Sequence, residues 1–132
     1  SDTLYDQIGR TYTATRRQEP RVAAFIEAAV GDARSVVNVG AGAGAYEPKG
    51  ARLVGVEPSW QMLRQRAHEA APAVQAVAEA LPFQSATFDA AMAVLTVHHW
   101  TDWRTGIAEM KRLPFWRFSI SQSLSPAIFA IA

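Results

Sequence analysis

Three glycines at alternate positions, between two apolar runs, limit the fold of this chain more than any other feature. Residues 36–58 read VVNVGAGAGAYEPKGARLVGVEP. The apolar runs have the length and the β-branched content of short buried strands. A residue without a Cβ permits positive φ in a tight turn and lets another group approach the backbone closely. The pattern predicts a strand, a glycine turn and a second strand, followed directly by Glu57.

Helical and strand-like patterns alternate around this unit. The predicted elements are a helix from Pro20 to Gly31 with Val22, Phe25, Ile26 and Ala29 on one side, strands over Ser35–Val39 and Arg52–Val56, a helix capped by Ser59 that ends before Pro72, strands over 73–78 and 88–95, and a helix capped by Asp102 or Thr101 that ends at Pro114. Near-continuous apolar strands indicate burial on both faces. The order predicts an α/β fold with a doubly wound, mostly parallel sheet.

The glycine turn and Glu57 together predict a nucleoside site. Amides after such a turn can point outward at a helix N-terminus and bind a polar group. A carboxylate at the end of the next strand can accept hydrogen bonds from the hydroxyls of a ribose. The alternative is structural: the glycines make a cramped connection, and Glu57 is an ordinary solvated carboxylate.

A nicotinamide dinucleotide is a second candidate, because Gly40, Gly42 and Ala45 also satisfy the pattern G-x-G-x-x-A. That pattern needs a sound helix after the turn to bind a pyrophosphate. Pro48 and Gly50 interrupt the residues between the two strands, which leaves room for a helix of only a turn or two. The spacing therefore disfavours a pyrophosphate.

Composition excludes several other classes. The chain has 132 residues, enough for one domain, with 49% hydrophobic and 19% charged residues. The net charge is +1 with no block of like charge, so no nucleic-acid surface is expected. The absence of cysteine excludes disulfides and thiolate chemistry, and is compatible with a reducing cytoplasm. No secretory signal is visible, and the longest apolar stretch, 90–97, is far below the roughly 20 residues of a membrane span. A soluble, cytoplasmic protein is expected.

Four segments carry a family resemblance: VVNVGAGAGAYEP, LVGVEPS, AVAEALPFQSATFDAAMAVLTVHHW and EMKRL. In order and spacing they resemble the class I S-adenosylmethionine-dependent methyltransferases, in particular the type 11 or UbiE-like group. The similarity covers about 21–113, and 1–20 resembles the leader that these proteins place over the cofactor. The resemblance implies one domain over 1–132, S-adenosylmethionine as cofactor, and methyl transfer to a small-molecule acceptor without a metal.

The resemblance also implies roles for individual residues. Asn38 and Val77 stand where the family often has aspartates, so we expect weaker contacts to the cofactor's ammonium and adenine. The implied cofactor contacts are Gly40, Gly42 and Gly44 beneath the methionine part, Glu57 on the ribose, Ala78, Glu79 and Leu81 along the adenine, Val94 and Leu95 beside the sulfonium, and Tyr12 and Arg16 over the methionine carboxylate.

His98 and His99 follow the fourth predicted strand, at the edge that faces an acceptor, and are candidates for a general base. In the alternative, one ring packs and the other is solvated, or bonded to Asp102. Trp100 and Trp103 are candidates for an acceptor pocket or for the core.

The tail, 114–132, departs from the family pattern. Alternation at Trp116, Phe118 and Ile120 predicts one more strand, and 127–132 is a candidate for another. Five or six strands in place of seven would leave a sheet edge open for pairing with a second copy. Two other functions stay open: a non-catalytic nucleoside-binding or interaction module, and an NAD(P)-dependent oxidoreductase.

Overall fold

A computed structural model of the chain describes residues 20–114 and, for secondary structure, 128–131. The elements are α1 (Pro20–Val30), β1 (Ser35–Val39), β2 (Arg52–Val56), α2 (Trp60–Arg64), β3 (Ala73–Val74), β4 (Ala90–Val94), a 3-10 turn (Val97–His99), α3 (Trp103–Arg112) and β5 (Ile128–Ile131). The predicted strand over 116–121 lies outside the described residues, as do Tyr12 and Arg16.

The described strands form one parallel sheet in the order β3-β2-β1-β4-β5. The chain builds outward from β1 through β2 to β3, then returns to the other side of β1 for β4 and β5. The strand order therefore reverses between β1 and β4. In open α/β sheets, ligands bind outside the carboxyl ends of the strands at this kind of reversal. The predicted doubly wound parallel sheet is confirmed.

Alternate residues of the strands supply the cores on the two faces of the sheet. Val36 packs in a cluster with Ile26 and Val30 of α1, whereas Val37 packs in a second cluster with Met110 of α3. Successive side chains of a strand point to opposite faces, so both faces of β1 are covered. This double burial explains why SVVNV lacks a polar/apolar alternation.

Several predicted boundaries are confirmed and three are wrong, among them those of β4, which spans Ala90–Val94 where 88–95 was expected. β1 and β2 begin and end where the sequence predicts, and Ser59 and Asp102 cap their helices. The helix after Ser59 stops at Arg64, well before Pro72, and β3 has two residues where six were expected. Within α1, Ile26 is buried, but Phe25 is 54% exposed, so the predicted apolar side includes one surface residue.

The connection between β1 and β2 contains turns and no helix over residues 40–51. The expected helix of a turn or two is therefore absent. Gly40 and Ala41 instead donate their N–H groups to the carbonyl of Val56, at 2.7 and 2.9 Å. The expectation that these amides point outward at a helix N-terminus is wrong, because β2 takes up the donors.

Candidate functional site

Glu57 contacts the glycine turn directly. Its side chain is buried, and its Oε1 accepts a hydrogen bond from the N–H of Gly42 at 2.8 Å. Its Oε2 accepts a hydrogen bond from the N–H of Ser59, also at 2.8 Å. The turn after β1 and the acid after β2 thus lie together at the carboxyl edge of the sheet. The alternative in which Glu57 is a solvated surface carboxylate is wrong.

The glycine turn is pressed closely against the segment that follows β4. Gly40 has φ +79°, and a Cβ built at this position would lie 2.3 Å from Oγ1 of the buried Thr96. Such a contact is impossible without movement of the backbone. Only a glycine at position 40 allows β1 to end this close to the chain after β4.

A small cleft lies between these two segments, at the reversal of strand order. Its volume is about 30 Å³. The lining residues are Asn38, Gly40, Ala41, Gly42, Ala43, Ala45, Tyr46, Met62, Val94, Leu95 and Thr96. Of the predicted cofactor residues, the cleft therefore brings together two glycines of the turn and the two residues expected beside the sulfonium.

Leu95 is in a backbone conformation that is unusual for its residue type, with φ +57°. Outside glycine, a side chain in the left-handed region costs about 1 kcal/mol or more, and such residues cluster at functional sites. Leu95 directly follows β4 and lines the cleft. The conformation turns the chain sharply from β4 toward Thr96 and the 3-10 turn.

The segment predicted to border the adenine, residues 78–81, is held in place by contacts with the core and with the start of α3. Ala78 and Leu81 are both about 5% exposed and pack in the cluster that contains Val39 and Val56, the last residues of β1 and β2. Glu79 accepts a hydrogen bond from the N–H of Asp102 at 2.9 Å. The side chains of Ala78 and Leu81 are therefore core residues, and Glu79 ties this segment to the start of α3.

The two candidate histidines are adjacent and exposed. Their ring centroids are 4.0 Å apart, with the planes inclined at 42°. Desolvation and, second, the charge of His98 lower the pKa of the His99 imidazole below its ordinary value of 6.5. A lowered pKa keeps His99 neutral near pH 7, which is the form that can accept a proton.

The two tryptophans have different surroundings. A Cβ on Gly106 of α3 would lie 2.4 Å from the ring of Trp100, so that ring packs against the helix backbone. Trp103 is 50% exposed, and the Arg104 guanidinium lies 4.6 Å from its ring centroid. Trp100 is therefore a core residue, and Trp103 is the one available to other molecules.

The salt bridge between Arg66 and Glu47, at 2.5 Å beside the glycine turn, is not expected from the sequence. Arg66 also donates to the carbonyl of Gly42 at 3.1 Å. The available signal was Glu47 itself, the only carboxylate in the helix-free connection between β1 and β2. A loop without a helix needs other contacts to hold it.

A larger cavity of about 820 Å³ lies on the other side of this connection. Gly44 and Glu47 line it, and it shares only Ala43 with the cleft. Gly44 therefore lines a different cavity from the other two glycines of the turn. Among residues 20–114 and 128–131, no group of three or more acidic or histidine side chains is arranged to hold a metal ion. No helix in that part of the chain is long and apolar enough to cross a membrane.

Comparison with known proteins agrees with this geometry. A protein family described as "Methyltransferase domain" matches residues 37–114. A curated demethylmenaquinone methyltransferase of Corynebacterium urealyticum is 29% identical over 141 residues, an alignment that covers 96% of this chain and 60% of the relative. The chain thus spans less than two thirds of that relative's length.

Solved structures share the fold. A SAM-dependent methyltransferase of Thermotoga maritima superposes with a TM-score of 0.69 at 23% identity, over 84% of this chain and 53% of that one. The [4+2]-cyclase SpnF superposes with a TM-score of 0.62 at 17% identity, over 71% of this chain and 40% of that one. The same fold therefore occurs in a protein named for a different reaction.

The family match covers more than half of the chain, and it includes the glycine turn, Glu57 and the segment after β4. S-adenosylmethionine is the cofactor that this family implies. The protein belongs to the class I S-adenosylmethionine-dependent methyltransferases.

Proposed function

We propose that the protein binds S-adenosylmethionine at the cleft between β1 and β4 and transfers its methyl group to a small-molecule acceptor. The observation that carries this proposal is the hydrogen bond from the N–H of Gly42 to the Glu57 carboxylate at the reversal of strand order. It joins the two features that a bound nucleoside requires, a close approach to the backbone and an acceptor for hydroxyl groups.

The residues present fit this cofactor. The Glu57 carboxylate, which accepts hydrogen bonds from the N–H groups of Gly42 and Ser59, would also accept them from the ribose hydroxyls. Gly40 and Gly42 would contact the methionine part, and Val94 and Leu95 would lie on the sulfonium side. Ligand pockets usually measure roughly 300 to 1,000 Å³, and the cleft of about 30 Å³ is smaller than that.

The remaining predicted contacts belong to the same proposal. Glu79 and the backbone of residues 78–81 would border the adenine, since the side chains of Ala78 and Leu81 pack inward. Tyr12 and Arg16 would close over the methionine carboxylate. Gly44 would support the turn from its other side, next to Glu47.

S-adenosylmethionine supplies a methyl group that is already activated by a sulfonium, so the protein mainly has to align an acceptor and exclude water. His99 is the last residue of the 3-10 turn after β4, and its lowered pKa favours the neutral ring. Where the acceptor is a hydroxyl or an acidic carbon, His99 would remove its proton, with His98 beside it as the second candidate.

The acceptor belongs to the proposal as well. The curated relative is named for demethylmenaquinone, which makes a quinone of this kind the first acceptor to assay. A second function, that of a non-catalytic nucleoside-binding module, stays open, because the same fold occurs in a protein named for a reaction other than methyl transfer. A dinucleotide oxidoreductase is not supported, because residues 40–51 contain no helix to bind a pyrophosphate.

Calorimetric titration with S-adenosylhomocysteine and with NAD tests the cofactor. We expect binding of the first and none of the second. Glu57→Ala should weaken binding by about 1.5 to 3 kcal/mol, because a charge-assisted hydrogen bond is lost. Glu27→Ala, at an exposed position of α1, is the matched control and should bind as the wild type does. Unchanged affinity in Glu57→Ala would refute the ribose contact.

Formation of S-adenosylhomocysteine in the presence of demethylmenaquinone tests catalysis, and binding without turnover of any acceptor would favour the second function. The acid limb of the rate profile should lie below pH 6.5, because the pKa of His99 is lowered. His99→Gln should remove this limb and slow turnover, whereas His68→Gln, at another exposed position, should do neither. An unaltered profile in His99→Gln would exclude it as the base.

A further inference from the structure

The glycine turn is not followed by the helix that usually holds such a turn in place. In a parallel crossover the connection between neighbouring strands normally contains a helix, which fixes the turn in front of it. Here residues 40–51 form turns only, yet Gly42 has φ +57° and its N–H points at Glu57. Some other contact has to hold Gly42 in this orientation.

Arg66 provides that contact. It lies two residues beyond α2, and its guanidinium is a donor to three different segments. Nη1 donates to the carbonyl of Gly42 at 3.1 Å, and Nη2 donates to Oε2 of Glu47 at 2.5 Å and to the carbonyl of Ala71. One side chain therefore connects the glycine turn, the crossover and the chain that leads into β3.

The partners of Arg66 complete a closed network. Glu47 accepts a second hydrogen bond, from the N–H of Ala71 to Oε1, at 2.9 Å. The side chains of Arg66 and Glu47 are only 8% and 14% exposed. A charge pair with side chains this little exposed, which also shares hydrogen bonds with three backbone groups, has a restricted geometry.

Gly42 is thereby held on both sides. Its N–H donates to Glu57, and its carbonyl accepts from Arg66. These two groups belong to the peptide units before and after the Gly42 Cα. Fixing both units fixes the backbone angles of Gly42, and with them the position of the Glu57 carboxylate relative to the turn.

We propose that Arg66 is the positioning residue of the cofactor site and that Glu47 is its counter-ion, together replacing the missing crossover helix. This inference rests on the proposed function, because it assigns Arg66 a role in nucleoside binding. Arg66 acts through Gly42 on Glu57 and is not itself a catalytic residue.

Titration of S-adenosylhomocysteine into the wild type, Arg66→Met and Arg64→Met tests the proposal. Arg64 is exposed in the last turn of α2 and is the matched control. We expect Arg66→Met to lose on the order of tenfold in affinity and Arg64→Met to lose none. Equal affinity in the wild type and Arg66→Met would overturn the positioning role. Absence of binding to the wild type would instead show that the proposed function itself is wrong.

A double-mutant cycle distinguishes a positioning role of Arg66 in the cofactor site from a general contribution of Arg66 to the stability of the fold. Affinities are measured for Glu57→Gln, Arg66→Met and the double variant, each first shown to be folded by circular dichroism. If Arg66 acts through Gly42 on Glu57, its substitution should cost much less affinity in the Glu57→Gln background. The same loss in both backgrounds would reduce Arg66 to a structural residue.

A folding failure of Arg66→Met is covered by Arg66→Lys, which keeps the charge but has a single nitrogen in place of the planar guanidinium, whose Nη1 and Nη2 reach different acceptors. Its affinity should fall between those of the wild type and Glu57→Gln. Affinity equal to that of the wild type would overturn the proposal, since a single ammonium group cannot reproduce the network.

Discussion

Arg66 and Arg112 make similar sets of contacts in very different surroundings. Arg66 binds Glu47 and two backbone carbonyls, and its side chain is 8% exposed. Arg112 binds Glu109 and the carbonyls of Leu81 and Phe83, and is 30% exposed. Both hold loops in which cofactor contacts are predicted. The two arginines therefore differ mainly in burial, and we expect burial to decide how much each contributes to stability.

The two partners also differ in how they are held in place. Glu109 lies three residues before Arg112 at the end of α3, so the helix brings the two side chains together. Glu47 and Arg66 come from two irregular segments 19 residues apart. The first pair depends on local structure, whereas the second is formed only when the chain folds around it.

Arg66→Met should have the largest effect on stability. It leaves the Glu47 carboxylate shielded from water without its cation, which costs about 3 to 5 kcal/mol for a buried pair. The free energy of unfolding in urea measures this cost. A loss no greater than that of Arg112→Met would contradict the distinction by burial.

Arg112→Met should cost less, about 1.5 kcal/mol, because water can replace part of what the guanidinium provides. The same urea titration applies, with Lys111→Met at the exposed neighbouring position as the control. Since Arg112 supports the backbone of Leu81, a small loss of S-adenosylhomocysteine affinity is also expected. A cost above that of Arg66→Met would reverse the comparison.

Combining Glu47→Gln with Arg66→Met should recover about 1 kcal/mol relative to Arg66→Met alone, because no unpaired buried charge remains. The glutamine can still accept from the N–H of Ala71. Thermodynamic coupling between the two positions, determined from the four unfolding curves, measures the recovery. Additive effects would show that the pair is not coupled in the folded protein.

The smallest expected effect is the dependence on acid pH of the stability difference between the wild type and Glu109→Gln. The hydrogen bond from Arg112 is the main cause that lowers the pKa of Glu109 below its ordinary value of 4.5. A carboxylate with a lowered pKa stabilises the fold above pH 4.5, and this stability is lost as the pH falls through the folded-state value. The difference between the wild type and Glu109→Gln, less than about 1 kcal/mol, should therefore shrink below pH 4.5. A difference that is constant with pH would exclude this linkage.

The sheet and its caps could be predicted because their signals are local. β1 and β2 are short β-branched runs between turn residues, and Ser59 and Asp102 are side chains that cap helices wherever a helix follows. The meeting of Glu57 with Gly42 could also be predicted, because parallel strands end at a common edge.

The early end of α2 and the pairing of Arg66 with Glu47 could not be predicted, because both depend on contacts between residues distant in sequence. Arg66 continues the helical spacing after Ser59, which predicted a helix as far as Pro72. In the folded protein its guanidinium turns toward Gly42 and Ala71, and the helix ends earlier. Neither Arg66 nor Glu47 carries a local pattern that distinguishes it from a solvated charge, and their pairing emerges only in three dimensions.

Leu95 connects the stability of the protein with the shape of its cleft. A leucine with φ +57° has a strained backbone, and contacts with neighbouring residues must compensate for that strain. Exchange for glycine would release that tension and, at the same time, remove a branched side chain from the wall beside Val94 and Thr96. Because the Leu95 side chain also packs against the cluster that contains Ile26 and Met92, the exchange would remove that packing as well, so relief of backbone strain and loss of buried contacts oppose each other at this position.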